Sequence, residues 1–186
     1  MDEQYTKEMA ELQSDHWWYE GRRNILSALI AKMKLPADAT ILEGGCGPGA
    51  NLKMLSKFGK VSAFEPDDFS VQHAGSISGL DIKNGTLPNG LPFSESFDLV
   101  CAFDVIEHIG DDIGSVKALC DHTKTDGYAI FTVPAFQFLW SHHDDINFHK
   151  RRYTKAMLRD VLQKAGYKIE FISYYNFFLF PLAAGI

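Results

Sequence analysis

Residues 41–51 constrain the fold of this chain more than any other part of its sequence. A short apolar run ends in Glu43, and Gly45, Gly47 and Gly49 follow on alternate positions before a segment of helical character. A strand that turns directly into a helix needs residues that tolerate unusual backbone angles. A ligand lying against such a turn also needs positions without a Cβ. The pattern therefore predicts a strand, a tight turn and a helix that together form a ligand pocket.

Two acidic residues narrow the choice of ligand. Glu43 would repel a pyrophosphate but suits a cationic ligand. The spacing E-x-G-x-G-x-G also differs from the G-x-G-x-x-G of dinucleotide sites, where a helix N-terminus faces a pyrophosphate. Glu65 ends the next apolar run, about twenty residues further on, where such folds place the acid that binds the ribose hydroxyls. These features predict a nucleoside-bearing cofactor and make an NAD-dependent oxidoreductase the weaker alternative.

The rest of the chain alternates between short apolar runs and helical patterns. The apolar runs, rich in β-branched or aromatic residues, lie at 40–43, 61–64, 97–103 and 128–133. The helical patterns between them lie at 50–58, 68–76 and 111–121. This alternation predicts an α/β fold in which helices cover both faces of a parallel sheet.

Three local signals add detail to this fold. An amphipathic helix is predicted over residues 21–34, ahead of the core. Asp126-Gly127 predicts a turn into the strand at 128–133. Thr154 is expected to cap a later helix that Gly166 closes.

Composition excludes several classes of function. The net charge of -6 argues against a broad phosphate-binding surface, so no nucleic-acid partner is expected. Three cysteines without C-x-x-C spacing indicate neither a disulfide framework nor a zinc site. The acidic start of the chain lacks the features of a signal peptide, and a cytoplasmic location is expected.

Further ordered motifs carry a resemblance to a known family. After the glycine-rich turn come Phe64-Glu65-Pro66-Asp67, then Asn84-Gly85-Thr86-Leu87-Pro88, then the run from Ser96 to Ile109. In these motifs the chain resembles the class I S-adenosylmethionine (SAM)-dependent methyltransferases, with similarity to ubiquinone-pathway O-methyltransferases. The resemblance implies a Rossmann-like, doubly wound, mostly parallel sheet with helices on both faces. It also implies SAM as cofactor and S-adenosyl-L-homocysteine as product, with residues 1–38 as an N-terminal helical cap segment and 39–186 as the core of a single domain.

The resemblance also implies a set of cofactor-binding residues. Thr86 stands where many relatives have an Asp near the adenine. In related enzymes an aromatic and basic segment ahead of the core folds over the cofactor, and an arginine meets the methionine carboxylate. The implied set is Trp18, Arg23, Glu43, Gly44, Gly45, Cys46, Gly47, Gly49, Asn51, Glu65, Pro66, Thr86, Leu87, Phe103 and Asp104.

The turn after the run 97–103 supplies the catalytic candidates Asp104, Glu107 and His108, with His108 as the general base. The turn is similar to the E-x-x-E-H turn of ubiquinone-pathway O-methyltransferases, which can hold a divalent cation. Asp104 replaces the first Glu, so a metal here is an open alternative that the resemblance does not require. The alternative is that the acids begin a helix and His108 only packs. We predict transfer of the methyl group to the oxygen of a small-molecule or lipid-like acceptor. A non-catalytic SAM-binding module is the further alternative.

Residues 141–153 form a second polar cluster, rich in histidine. We predict a lid in which His143, His149 or Arg152 contacts an anionic acceptor; a solvated loop is the alternative. No metal is predicted, because the spacing matches no helical H-x-x-x-H site and the segment contains no cysteine.

The chain ends inside an apolar run that begins at Phe171. The family's sheet usually ends in an antiparallel hairpin of a sixth and a seventh strand, and only the sixth is readable here. We therefore expect the last strand or strands to be missing at the C-terminus, in a segment that in the intact protein could contact a membrane. The alternative is a buried final strand with a tail packed on the core. The sequence does not define the oligomeric state.

Overall fold

A parallel sheet of five strands is the centre of the molecule. The computed structural model describes residue 7 and residues 16–175. Its strands are β1 (Thr40–Gly44), β2 (Lys60–Glu65), β3 (Lys83–Asn84), β4 (Phe97–Phe103) and β5 (Thr123–Thr132). They lie in the order β3-β2-β1-β4-β5, and each neighbouring pair is parallel. The predicted α/β fold with a parallel sheet is confirmed.

Helices connect the strands and cover the sheet. They are α1 (Trp17–Ile30), α2 (Leu52–Leu55), α3 (Asp68–Ser78), α4 (Asp112–Asp121), α5 (His142–Ile146) and α6 (Lys155–Lys164). Short 3₁₀ turns occupy Ile106–His108 and Gln137–Leu139. None of the helices among residues 16–175 is both long and apolar enough to cross a membrane.

The hydrophobic core lies on both faces of β1. Successive side chains of a strand point to opposite faces, and the neighbours Ile41 and Leu42 are both fully buried. Ile41 belongs to a cluster with Leu26 and Ile30 of α1, whereas Leu42 packs in the cluster that contains Leu119 of α4. Burial on both faces explains why the strands are continuous apolar runs without polar alternation.

The chain changes direction across the sheet beside β1. Strands β2 and β3 are added on one side of β1, and β4 and β5 are added on the other. Glu43 is paired with Ala63 of β2 and with Cys101 of β4, so the ends of these three strands lie side by side. In open α/β sheets, ligands bind beyond the carboxyl ends of the strands at such a reversal.

The start of one helix and the position of one turn were predicted wrongly. Helix α1 begins at Trp17 rather than at residue 21, because the His16 side chain accepts a hydrogen bond from the Trp18 amide and caps the helix. Asp126-Gly127 lies inside β5, at a register shift opposite Phe97, instead of forming a turn before the strand. A Cβ on Gly127 would lie about 3.0 Å from the Asp98 carbonyl oxygen, so glycine permits this close approach.

The sixth strand that the sequence predicts is not formed by the described residues. Residues 168–175 have no regular secondary structure, and the remainder of the apolar run, 176–186, lies outside the described residues. Helix α6 follows the prediction: the Thr154 side chain accepts from the Met157 amide, and Gly166 adopts a φ of +106° just after the helix.

A pair of glycine substitutions tests how the first turn packs against α3. Gly49 and Gly79 have φ values of +92° and +71°, so alanine is strained at both, by roughly 1–2 kcal/mol. A Cβ on Gly49 would also lie 2.9 Å from the Ala74 Cβ, whereas no described atom lies within 4 Å at Gly79. We expect Gly49→Ala to lower the free energy of unfolding by about 1–3 kcal/mol more than Gly79→Ala. Urea denaturation measures both; equal losses would contradict this packing.

Candidate functional site

The glycine-rich turn between β1 and α2 leaves one position open to a ligand. Gly45 and Gly47 adopt φ values of +67° and +53°, a region that favours glycine. A Cβ on Gly45 would lie 2.8 Å from the Val105 side chain, but no described atom lies within 4 Å of a Cβ on Gly47. The glycine at residue 45 therefore serves internal packing, and Gly47 presents bare backbone to the groove.

Glu65 closes the turn from the end of β2. Its carboxylate accepts hydrogen bonds from the Gly47 amide at 3.0 Å and from the Asp67 amide at 3.2 Å. Burial raises the pKa of Glu65, while these two hydrogen bonds oppose the rise. The acid predicted to bind ribose hydroxyls thus lies directly against the open glycine.

Glu43 lies beneath the turn and is almost fully buried. One carboxyl oxygen accepts from the Asn51 amide nitrogen at 2.9 Å. The other oxygen of Glu43 and the Asn51 Oδ1 atom are buried without a hydrogen-bond partner among the described residues. Burial raises the pKa of Glu43 to about 7, against the opposing effects of Asn51 and Arg22. Its charge is therefore poised near neutral pH.

Asp104 anchors helix α1 over the end of β4. This residue adopts a φ of +56°, unusual for a residue other than glycine, and its carboxylate accepts from the Thr132 hydroxyl at 2.9 Å. The other carboxylate oxygen pairs with the guanidinium of Arg22, whose Nε is buried without a partner among residues 16–175. An arginine of α1 thereby reaches the strand ends.

The arginine of α1 that lines the groove is Arg22, the neighbour of the predicted Arg23. Arg22 and Trp18 line the groove, as does Tyr19, whose ring lies 5.4 Å from the Arg22 guanidinium carbon. Helical spacing carried a signal for this: Arg22, Leu26 and Ile30 are separated by four residues and form the buried stripe of α1. A role for Arg23 in cofactor binding stays a prediction.

The groove beyond the strand ends joins most of the predicted residues. Besides the residues above, the residues that line it include Cys46, Pro66, Gly85, Leu87, Phe103, Glu107, His108, His143, His149 and Arg152. Thr86 is exposed, whereas its neighbours Gly85 and Leu87 line the groove. Gly44 and Gly49 support the turn from below, packed close to Phe64 and Ala74.

The turn after β4 places two polar side chains, Glu107 and His108, at the groove. Glu107 is fully buried, and neither carboxyl oxygen has a hydrogen-bond partner among the described residues. Burial raises the pKa of Glu107 well above its usual range, and the nearby Asp104 adds to the rise. His108 contacts the Asn147 carbonyl oxygen through Nδ1 at 2.8 Å, and burial together with His149 lowers its pKa.

The histidine-rich segment is folded around Asp144 of α5. The Arg152 guanidinium donates to both carboxylate oxygens of Asp144 at 2.8 Å, and His149 contacts one of them through Nδ1 at 2.8 Å. Arg152 also donates to the Ala135 carbonyl oxygen. The Arg152 guanidinium is thus engaged within the segment, and its predicted role in binding an acceptor anion stays a prediction.

Comparison with known proteins shows the family of this chain. A model of the methyltransferase domain matches residues 17–171, so the chain belongs to this methyltransferase domain family. The predicted relationship to class I SAM-dependent methyltransferases, and SAM as their cofactor, are confirmed.

Individual relatives are distant in sequence. A protein of Mycolicibacterium smegmatis named as a probable S-adenosylmethionine-dependent methyltransferase is 26% identical over 164 residues, which are 86% of this chain and 62% of that protein. A ubiquinone biosynthesis O-methyltransferase of Methylobacterium is 27% identical over 97 residues, 49% of this chain and 39% of the relative. This chain thus spans less than two thirds of either relative.

The fold is also found among solved structures. An S-adenosylmethionine-dependent methyltransferase of Clostridium acetobutylicum superimposes with a TM-score of 0.68 at 17% identity, and the match covers 87% of each chain. At this level of identity the similarity supports the fold alone, which is the predicted Rossmann-like arrangement.

The raised pKa of Glu43 predicts how stability changes with pH. Between its ordinary value of 4.5 and about 7, the folded protein keeps a proton on Glu43 that the unfolded chain has released. The free energy of unfolding therefore falls as pH rises through this window, by at most about 3 kcal/mol from this group. Glu43→Gln should remove that part of the decline when urea denaturation is measured from about pH 4 to about pH 8. The exposed Glu95→Gln is the control; an unchanged decline in Glu43→Gln would contradict the assignment.

Proposed function

We propose that this protein transfers the methyl group of SAM to the oxygen of a small-molecule or lipid-like acceptor. The observation that carries the proposal is the arrangement of Glu43, Glu65 and the open Gly47 at the reversal of strand order. Acidic groups there suit a cationic cofactor and disfavour a pyrophosphate. The printed name of the Methylobacterium relative, an O-methyltransferase, supports oxygen as the acceptor atom.

Several polar groups of the groove fit the parts of SAM. Glu65 is placed to accept hydrogen bonds from ribose hydroxyls, and bare backbone at Gly47 allows the cofactor to approach closely. The Nε atom of Arg22, which lacks a partner among the described residues, suits the methionine carboxylate. Bound SAM supplies a methyl group that is already activated, so the protein contributes chiefly proximity and alignment.

The catalytic roles proposed for the turn after β4 follow from its place beside this cofactor site. Asp104, Glu107 and His108 lie in one segment that lines the groove between the glycine turn and the histidine-rich segment. The acceptor then enters between the turn and residues 141–153. A cytoplasmic location and a small-molecule acceptor remain part of the proposal.

Ligand binding and product analysis test the proposed function together. Isothermal titration should show binding of SAM and S-adenosylhomocysteine, whereas heat from NAD alone would overturn the assignment. Labelled SAM should then transfer its methyl group to members of a panel of phenols, carboxylic acids, amines and lipids. Methylation confined to the amines would contradict transfer to oxygen.

Substitutions on α1 test which arginine meets the cofactor. Arg22→Met removes a guanidinium at the strand ends, and a charge-assisted hydrogen bond of this kind is worth roughly 1.5–3 kcal/mol. We expect the Kd for SAM to rise about tenfold or more in titration calorimetry. Lys32→Met removes an exposed cation beyond the same helix and is the control. A larger rise in Kd for Arg23→Met than for Arg22→Met would instead assign the cofactor contact to Arg23, the residue predicted from sequence.

A further inference from the structure

The carboxylate of Asp144 is an unusually well-held group within the histidine-rich segment. It is fully buried and accepts hydrogen bonds from the Ser141 amide and the Arg152 guanidinium, besides its contact with His149. Burial opposes its ionisation, but Arg152 and Ser141 outweigh burial and hold the pKa of Asp144 well below its usual range. Asp144 is therefore a fixed anion close to the groove.

This anion determines which nitrogen of His149 carries the proton. With Nδ1 2.8 Å from the Asp144 carboxylate, the neutral ring is favoured with its hydrogen on Nδ1, and Nε2 is left as an acceptor. The His149 side chain is only 10% exposed, and it lines the groove. An imidazole held in one tautomer by a buried carboxylate is the arrangement of a general base.

Glu107 indicates where a polar ligand would reach this imidazole. One carboxyl oxygen of Glu107 lies within 4.8 Å of ring nitrogens of both His108 and His149. Both oxygens of Glu107 are nevertheless buried without a hydrogen-bond partner among the described residues. A buried polar group in this state calls for a partner. A hydroxyl entering from the groove between Glu107 and His149 would supply it.

His108 is less suited to accept a proton than the sequence suggests. Its Nδ1 is engaged with the Asn147 carbonyl oxygen at 2.8 Å. Its ring meets that of His149 edge to face, with centroids 4.6 Å apart. No carboxylate among the described residues makes a hydrogen bond to the His108 ring in the way that Asp144 does to His149.

We propose that His149, oriented by Asp144, is the general base for a hydroxyl acceptor that binds between Glu107 and His149. This inference rests on the proposed function. The acceptor oxygen forms a bond to the methyl carbon, the carbon–sulfur bond breaks with its electron pair remaining on sulfur, and His149 Nε2 takes the hydroxyl proton. His149 is then a catalytic residue, and Asp144 is a positioning residue.

The pH dependence of the reaction reports on His149. A general base must be unprotonated to accept a proton, so the rate with a hydroxyl acceptor rises as pH increases. The titratable and charged groups that face it are Asp144, Arg152, His143, His108 and Glu107.

Acceptors that differ in acidity separate a base from a residue that merely shapes the groove. The probes are catechol, methyl glucoside and octanol, with thiophenol as an acceptor that is largely ionised at mildly alkaline pH. His149→Gln should lower kcat by about a hundredfold or more with the hydroxyl probes. With thiophenol, which needs no base, the loss should stay below about threefold. The exposed His142→Gln is the matched control and should behave as the parent protein.

Asp144→Asn tests the positioning role separately. Long-range proton–nitrogen spectra of the labelled protein should show the Nδ1–H form of His149, and the variant should lose this preference. If the variant does not fold, His149→Gln still decides the matter through its pH profile, which should lose the rise seen with catechol.

Four results would overturn the proposal. The first is an equal loss with thiophenol and catechol in His149→Gln. The second is activity abolished by a chelator and restored by a divalent cation, which would assign the cluster to a metal. The third is SAM binding without turnover of any hydroxyl probe, and the fourth is His149 in the Nε2–H form. Failure to bind SAM at all would instead overturn the proposed function on which this inference rests.

Discussion

The pairing of β1 on both of its edges is the constraint on which the rest of this structure depends. Because β2 and β4 are hydrogen-bonded to the same strand in the same direction, the residues that follow all three strands leave the sheet side by side. Glu43, Glu65 and Asp104 come from separate parts of the chain and are brought together by this register alone. The turn at residues 45–49 can then serve packing at Gly45 and ligand approach at Gly47.

A second organising centre lies at Asp144, on the other side of the groove. This carboxylate joins the start of α5 to Arg152, eight residues further along the chain, and so closes the histidine-rich segment into one unit. Arg151 and Tyr153 then attach the same segment to α4, through Asp112. Two ion pairs therefore hold the segment: Asp144 with Arg152 inside it, and Arg151 with Asp112 of α4.

Sequence patterns predicted the parallel sheet and the glycine-rich turn after β1. The predicted apolar runs fall within β1, β2 and β4, because strands that are buried on both faces have mostly apolar side chains. Glycines mark the turn because its φ values are positive. The start of α1 was misjudged because the capping role of His16 was not recognised. Arg23 was chosen from the family resemblance, which does not distinguish it from its neighbour Arg22. The bonds of Arg152 to Asp144 connect the irregular stretch after α5 to that short helix, and no periodicity in the sequence indicates that these side chains meet.

The guanidinium of Arg22 pairs with Asp104 at the edge of a groove that Glu65 lines, and Glu43 is buried beneath the glycine-rich turn. Near the strand ends the carboxyl groups thus exceed the cation that α1 contributes. For the proposed reaction, this excess of negative potential discriminates between the two forms of the cofactor. A sulfonium is attracted, but the thioether left after transfer has lost that charge. In the proposed reaction, the arrangement of acids at the sheet's edge therefore favours exchange of spent cofactor for fresh through electrostatics.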